Sequence, residues 1–349
     1  MNWIHEFRSG FEPLKSKFIP AHGTFSIVGL DPEVGEVGVA VASRYFDVGY
    51  CVAWLKPGVG AVATQAYLNA LLGPMGLQLL EEGVDAPEAL LKILAEDDDS
   101  ERRQVGIVDS TGNSAAFTGK ETDPWSGHLT AQNVAVQGNI LAGSSVIESM
   151  LDTFLSTDGP LSERLLSALE SGEAHGGDTR GKQSAALYIA RKRGGFRGVD
   201  DRLVDLKITD HIEPVAELRR LYNMWRYIYL VPAYSRLSDE EPELSSIFYG
   251  HIRGFLHQAL EDKIDNSEIY NSLAWHLAIN KKFPEETLLA AKMAYDLAPN
   301  DANVIDTLAE AHFAAGNHNE AVRLEEEAIR ISPDNAFFQE QLAKFRQSA

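Results

Sequence analysis

The chain is predicted to fold as an α+β sandwich of antiparallel sheets covered by helices, followed by an all-α repeat domain. Three observations carry that prediction. Short alternating apolar runs bounded by Gly and Pro recur up to residue 208. They come as strand pairs separated by helix pairs, which suits a layered antiparallel sandwich better than a parallel sheet. From Pro214 onward the apolar spacing becomes helical, and part of it repeats after 34 residues.

In order along the chain, Phe25 and Ile27 alternate with small or polar residues, as do Val37, Val39 and Val41, with Asp31-Pro32-Glu33-Val34-Gly35 between the two runs. This reads as a strand hairpin. Residues 49–65 supply a second apolar pair that turns at Lys56-Pro57-Gly58. Residues 71–82 and 87–96 place Leu77 and Leu80, then Leu90, Leu91 and Leu94, at helical spacing, with Asp85-Ala86-Pro87 as a helix start. They form one covering layer. Residues 105–109 and 114–118 are strands around Ser110-Thr111-Gly112-Asn113, and 133–137 is another. Helices over 144–154 and 160–171 form the other layer, and strands over 185–190 and 203–208 close the domain.

Val215, Leu218, Leu221, Tyr222 and Trp225 lie on one helical face, and a second helix spans 242–262. Beyond it Ala294 and Pro299 recur as Ala328 and Pro333, and Leu273-Ala274 recurs as Leu308-Ala309, with Gly316 closing a helix. This pattern resembles tetratricopeptide repeats, antiparallel helix pairs stacked into a concave surface that recruits a protein partner. The expected organisation is an N-terminal extension or prosegment (1–23), the sandwich (24–213), connecting helices (214–262) and the repeats (263–349).

Fifty-one Asp and Glu against 31 Lys and Arg give a net charge of -20. Such a field disfavours nucleic acid and anionic membranes as partners. The basic run Arg191-Lys192-Arg193 reads as a solvated strand end. A single cysteine, Cys51, excludes an internal disulfide or a thiolate metal site, and within Tyr50-Cys51-Val52-Ala53-Trp54 it reads as a buried, inert thiol. The first 23 residues mix charged and aromatic side chains without an apolar core, and no run of 18 apolar residues follows, so a cytoplasmic protein is expected. His5, His22, His128, His175 and His211 are scattered, and neither metal nor cofactor is expected.

The candidate nucleophile is Thr24, which directly follows Gly23 at the head of the first strand. Cleavage between them would leave a threonine with a free α-amine, whose pKa near 8 suits it to take the hydroxyl proton. Attack on a carbonyl then needs donors for the developing oxyanion. Gly138-Asn139 offers backbone N–H groups and an amide, Asn69 is the other option, and Gly138 reads equally well as a turn glycine. Ser43-Arg44 ends the second strand, so antiparallel pairing returns it toward Thr24. Arg44 there would hold a substrate carboxylate or form an ion pair with Asp47 or Asp178. In the glycine-rich loop 176–184, Asp178 and Arg180 would recognise the ammonium and carboxylate of an amino-acid-like group.

Five blocks carry a resemblance: 24–28, 38–44, 58–65, 137–143 and 176–186. Together they resemble the family catalogued as domain of unknown function 1028, over about residues 24–226. The resemblance implies a four-layer αββα sandwich like that of the N-terminal-nucleophile hydrolases. In that family the Thr commonly lies at or near the chain start, whereas 23 residues precede it here. The candidate catalytic residues are Thr24 and Asn139, and the candidate substrate-binding residues are Ser43, Arg44, Gln65, Asn69, Gly138, Asp178, Arg180 and Gln183. The expected activity is amidohydrolysis of a small amide or peptide-like molecule through an acyl intermediate. The alternative is a non-catalytic module that binds a small amino-acid-like ligand, coupled to a protein-interaction repeat domain. Pairing through an exposed sheet face would give a homodimer.

Overall fold

The computed structural model describes residues 23–347. The extension 1–23, apart from Gly23, lies outside the described residues, as do His5 and His22.

The opening hairpin joins β1 (Thr24–Asp31) to β2 (Glu36–Ser43), with Thr24 opposite Ser43 and Asp31 opposite Glu36. Gly35 takes φ 69° in the turn, a conformation that favours glycine. Next come β3 (Ala53–Lys56), β4 (Gly60–Ala66), β5 (Arg103–Asp109), β6 (Ser114–Thr118), β7 (Gly127–Ala131), β8 (Val134–Asn139), β9 (Ser184–Ala190) and β10 (Arg202–Ile208). They form two antiparallel sheets, one of order β10-β9-β2-β1-β8-β7 and one of order β3-β4-β5-β6.

Period-two alternation decides what each face touches. Val28 and Leu30 of β1, with Val37, Val39 and Val41 of β2, pack against Ala61, Ala63 and Val108 of the other sheet. The opposite face of β1, Phe25 and Ile27, joins Val134 and Val136 of β8 under helices α4 (Ser144–Ser156) and α5 (Leu161–Ala174). On the four-stranded sheet, Val62, Val105 and Ile107 meet α2 (Leu72–Glu81) and α3 (Ala86–Ala95). Asp85 caps α3, its side chain accepting from the Glu88 N–H at 2.8 Å.

Two local expectations are corrected, and one strand is unanticipated. Residues 48–52 form a short helix, α1 (Val48–Val52), instead of extending a strand from 49. Val48 and Val52, one turn apart, both enter the core between the sheets while Tyr50 is exposed, whereas alternation would put all three on one face. β7 lacks an apolar signature because it is an edge strand with alternately half-buried and exposed residues. Arg191 is no solvated strand end. It is buried, its Nε donating to the Val34 carbonyl at 2.7 Å and its Nη2 pairing with Glu241 at 2.7 Å.

The helical part begins with α6 (Pro214–Trp225), runs through a π turn (Arg226–Leu230) into α7 (Val231–Glu240), and continues with α8 (Ser245–Glu261). Polar contacts anchor it to α5 and, through Glu36, to β2. Tyr222 Oη and Ser162 Oγ lie 2.8 Å apart, Tyr234 Oη donates to Glu36 at 3.0 Å, and Arg219 bridges Glu163 and Glu170. Then follow α9 (Ser267–Ala278), α10 (Pro284–Leu297), α11 (Ala302–Ala314), α12 (His318–Ile331) and α13 (Ala336–Gln347). Ala294 and Ala328 occupy equivalent, fully buried places in α10 and α12, as do Ala274 and Ala309 in α9 and α11. Among the described residues no helix is long and apolar enough to cross a membrane.

Candidate active site

At one end of the sandwich the alternation that fills the space between the sheets changes from apolar to polar. On β1 the inward series Leu30, Val28 ends in Ser26 and Thr24, and on β2 Val37, Val39, Val41 ends in Ser43. Ala61 and Ala63 of β4 lead to Gln65, Val108 of β5 leads back through Gly106 to Gln104, and Ala135 of β8 leads to Gln137 and Asn139. Strand directions bring all these polar ends to the same edge. Thr24 sits level with Ser43 on one side and Asn139 on the other.

The side chains interlock. Ser26 Oγ donates to Gln65 Oε1 at 2.6 Å and accepts from Gln137 Nε2 at 2.6 Å. Gln65 Nε2 reaches the Thr24 carbonyl at 3.1 Å and Gln104 Oε1 at 2.8 Å. Asn139 Nδ2 also donates to Gln104 Oε1, at 2.9 Å, and Gln104 Nε2 reaches the Gly138 carbonyl at 2.8 Å. Gly106 is needed here because a Cβ would fall 2.0 Å from Gln137 Oε1. Every group of this network is an amide or a hydroxyl, and all are buried.

At its outer end Thr24 Oγ1 donates to Ser43 Oγ at 3.1 Å, and Ser43 Oγ donates to the Gly23 carbonyl at 2.5 Å. Arg180 Nη2 donates to the same carbonyl at 2.8 Å. The Gly23 carbonyl therefore already receives one hydroxyl and one guanidinium, and the nucleophile candidate points its proton at the hydroxyl. Thr24 itself is fully buried. Asp178, nearly buried, fixes this corner. It pairs with Arg180 at 2.7 Å, accepts from the backbone N–H of Arg44 at 2.9 Å and of Arg180 at 3.0 Å, and lies where a Gly23 Cβ would come within 2.8 Å. A cavity of about 110 Å³ opens beside Ser43 and Asp178, bordered by Glu173 and Lys182. Burial pushes the Glu173 carboxyl upward, against the pull of Lys182.

Of the residues singled out from sequence, Thr24, Ser43, Gln65, Gly138, Asn139, Asp178 and Arg180 come together. Gly138-Asn139 is part of β8, not a step after it, and the Asn139 amide is turned to Gln104, to which its Nδ2 donates. Arg44 forms neither expected ion pair. Its guanidinium donates to the Arg180 carbonyl at 2.5 Å, and Asp47 pairs with Lys207. The Asn69 amide donates to Asp97 at 2.9 Å, in a separate cluster with Arg103. Gln183 extends its side chain to Asp210 at 3.1 Å, away from Thr24. Cys51 is half-buried, and burial pushes its thiol up to about 11. Ser26, Gln104 and Gln137 escape the sequence reading. The signal that marks them is a polar residue at the end of each inward-facing apolar series.

Among the described residues no group of three or more His, Cys, Asp and Glu side chains is placed to hold a metal ion. The family model described as Family of unknown function (DUF1028) matches residues 24–218. Among solved structures, the crystal structure of protein SPO2555 from Silicibacter pomeroyi, which carries the same family designation, is similar at TM-score 0.53. The two are 30% identical, over 58% of this chain and 89% of that one. No curated protein matches. Spanning more than half of the chain, the match places the protein in the family of unknown function DUF1028.

Proposed function

We propose that the protein is an N-terminal-nucleophile-type amidohydrolase that acts on a small amide or peptide-like substrate after cleavage of its own Gly23–Thr24 bond. The observation that carries this reading is the chemistry around Thr24. Its hydroxyl leads through Ser43 to the preceding carbonyl, and among the described residues the network behind it is built of amides and hydroxyls. In such surroundings the amine that cleavage supplies is suited to act as the base for the threonine. The order helix pair, sheet, sheet, helix pair supports a four-layer αββα sandwich of the N-terminal-nucleophile-hydrolase type.

In the activating step Thr24 Oγ1 attacks the Gly23 carbonyl carbon. The oxyanion forms where Ser43 Oγ–H and Arg180 Nη2–H already donate. The C–N bond breaks, the Thr24 nitrogen leaves as an amine with the hydroxyl's proton, and the resulting ester is opened by water to give a carboxylate on Gly23. In turnover the amine takes the Thr24 proton as Oγ1 attacks the substrate's carbonyl carbon. The substrate's C–N bond breaks and its nitrogen leaves with that proton as a free amine. Water then hydrolyses the acyl ester on Oγ1 to a carboxylate, restoring the hydroxyl. Ser43 and Arg180, relieved of the Gly23 carbonyl, then receive the substrate's oxygen. Asp178 holds Arg180 in place for it.

Intact mass of the purified chain, with Thr24→Ala beside it, tests this. The parent is expected to begin at Thr24 and to release product from dipeptide pools, and Thr24→Ala to stay uncleaved and inactive with an unchanged melting temperature. Hydrolysis at the parental rate by Thr24→Ala would overturn it. One observation favours the second reading, a ligand-binding module without turnover: with Gly23 attached, Thr24 is wholly buried. Saturable binding of amino acids by a chain that keeps Gly23 would select that reading. In either case α9–α12 support a tetratricopeptide-like surface for a protein partner, because buried Ala294 and Ala328 recur at that repeat's period.

A further inference from the structure

Between the loop joining β9 to β10 and the π turn lies a cavity of about 660 Å³, none of whose lining belongs to the Thr24 site. Its size falls in the range of small-molecule sites. One wall is aromatic. Trp225 and Tyr229 lie with ring centroids 4.5 Å apart, and Phe196 meets Tyr229 edge-on at 6.4 Å. Trp225 is held by its Nε1–H, which donates to the Leu203 carbonyl at 3.0 Å. The π turn explains why Tyr229 is available. Its extra residue turns Ile228 and Tyr229 outward while Tyr227 and Leu230 remain buried. Phe196, edge-on to Tyr229, is 67% exposed.

In a chain of net charge -20 the charged residues of the lining are Arg197, Arg202 and Arg236 beside Asp200 and Asp205. Most of this charge is already matched: Arg202 pairs with Asp200 and Asp205, and Arg236 pairs with Glu240 and donates to the Arg193 carbonyl at 2.6 Å. Arg197 differs. It has no carboxylate partner among the described residues, and its guanidinium stays 5.3 Å from the Phe196 ring centroid. Its backbone sits at φ 55°, followed by Gly198 at φ 72°, a conformation costly for a side-chain-bearing residue.

We propose that this cavity is a second ligand site, for a planar aromatic anion. The ring packs against the wall formed by Phe196, Tyr229 and Trp225, and the acidic group is held by Arg197, which among the described residues has no carboxylate partner. Three clustered rings, one pair tilted and one edge-on, select a flat apolar body, and an unmatched guanidinium selects a carboxylate over a neutral group. The proposal stands independently of the Thr24 reading.

Isothermal titration of the full chain with 2-naphthoate, and with 2-naphthylmethanol as its neutral match, tests it. Saturable binding of the naphthoate is expected, with the alcohol weaker by about tenfold or more. Arg197→Ala is expected to erase that preference, and Tyr229→Ala to weaken both ligands by about tenfold, with melting temperatures unchanged. No saturable heat up to about 1 mM, equal affinity for acid and alcohol, or undiminished binding by Tyr229→Ala would each overturn it. So would a dimer, seen by light scattering, that Tyr229→Ala dissociates, since the aromatic wall would then be an interface between copies.

Discussion

Glu36 offers a test of the packing that joins the sheets to the helices. It is fully buried at the start of β2, one carboxylate oxygen accepting from Tyr234 of α7 at 3.0 Å and the other without a partner. Burial, and then the charge of Asp31 across the hairpin, push its pKa from 4.5 up to about 7, against the opposing pull of Tyr234 and Arg191. The folded chain therefore keeps a proton that the unfolded chain gives up at lower pH. The contribution is fully present below pH 4.5 and is lost as the pH rises through about 7. At ~1.4 kcal/mol for each tenfold change in proton affinity, this shift amounts to roughly 3 kcal/mol. Glu36→Gln keeps the acceptor for Tyr234 and has no charge to bury. Urea unfolding of parent and variant, followed by tryptophan fluorescence from pH 4 to 8, should give curves that run together at the acid end. They should separate until the variant is more stable by roughly 3 kcal/mol at the alkaline end. Buried Asp306 and Glu325, whose carboxyls burial also pushes up, tilt both curves alike, so the difference isolates Glu36. Parallel curves would refute the reasoning, because Glu36 would then share its protonation with the unfolded chain.

Ser43→Ala removes one of the two donors to the Gly23 carbonyl and the acceptor of the Thr24 proton, and losing one such donor typically slows acyl transfer by about a hundredfold to a thousandfold. Intact mass against time should show processing slowed by that factor, and an unchanged rate would remove Ser43 from the step. Gly106→Ala would place a methyl 2.0 Å from Gln137 Oε1, so the amide must leave its bond to Ser26. A loss of about 1–3 kcal/mol by thermal denaturation is expected, together with impaired processing, and an unaltered melting curve would mean that the space between the sheets is looser than described.

The strands with clean alternation were legible because one face of each is committed to a helix layer and the other to the opposite sheet. Val37, Val39 and Val41 are a strand by pattern and a sheet–sheet contact in the structure. Where the two faces do not differ, the pattern fails. β7 has neither face fully buried, and the turn of helix at Val48–Val52 is too short for periodicity to register. Thr24, Ser43, Asp178 and Arg180 were reachable because they adjoin glycine-rich or strand-end signals. Gln104 and Gln137 were not, since an isolated Gln in an apolar strand resembles an outward-facing position until register assigns its parity. Asn69 was misplaced for the converse reason. It sits near the end of β4 in sequence, but the turn after Ala66 carries it to Asp97.

The energetics of the polar end bear on why it is built so. Apolar side chains of similar volume between two sheets would stabilise them at least as well as paired amides, whose net contribution is ~1 kcal/mol each. Two acceptors, Gln137 Oε1 and Asn139 Oδ1, are moreover left buried without a partner, each at a cost of about 1–3 kcal/mol. Stability alone therefore does not account for the network. Orientation does: Gln65 holds the Thr24 carbonyl from inside, Ser43 holds its hydroxyl from the side, and Arg180 with Ser43 holds the carbonyl before it. Both ends of the Gly23–Thr24 linkage are gripped by donors, and none of the gripping groups between the sheets titrates near neutral pH. Such an environment leaves the basicity of the site to be set by the α-amine that the proposed cleavage would release. The pH profile of turnover in the processed chain should accordingly be governed by one group near pH 8, the ordinary value for an α-amine.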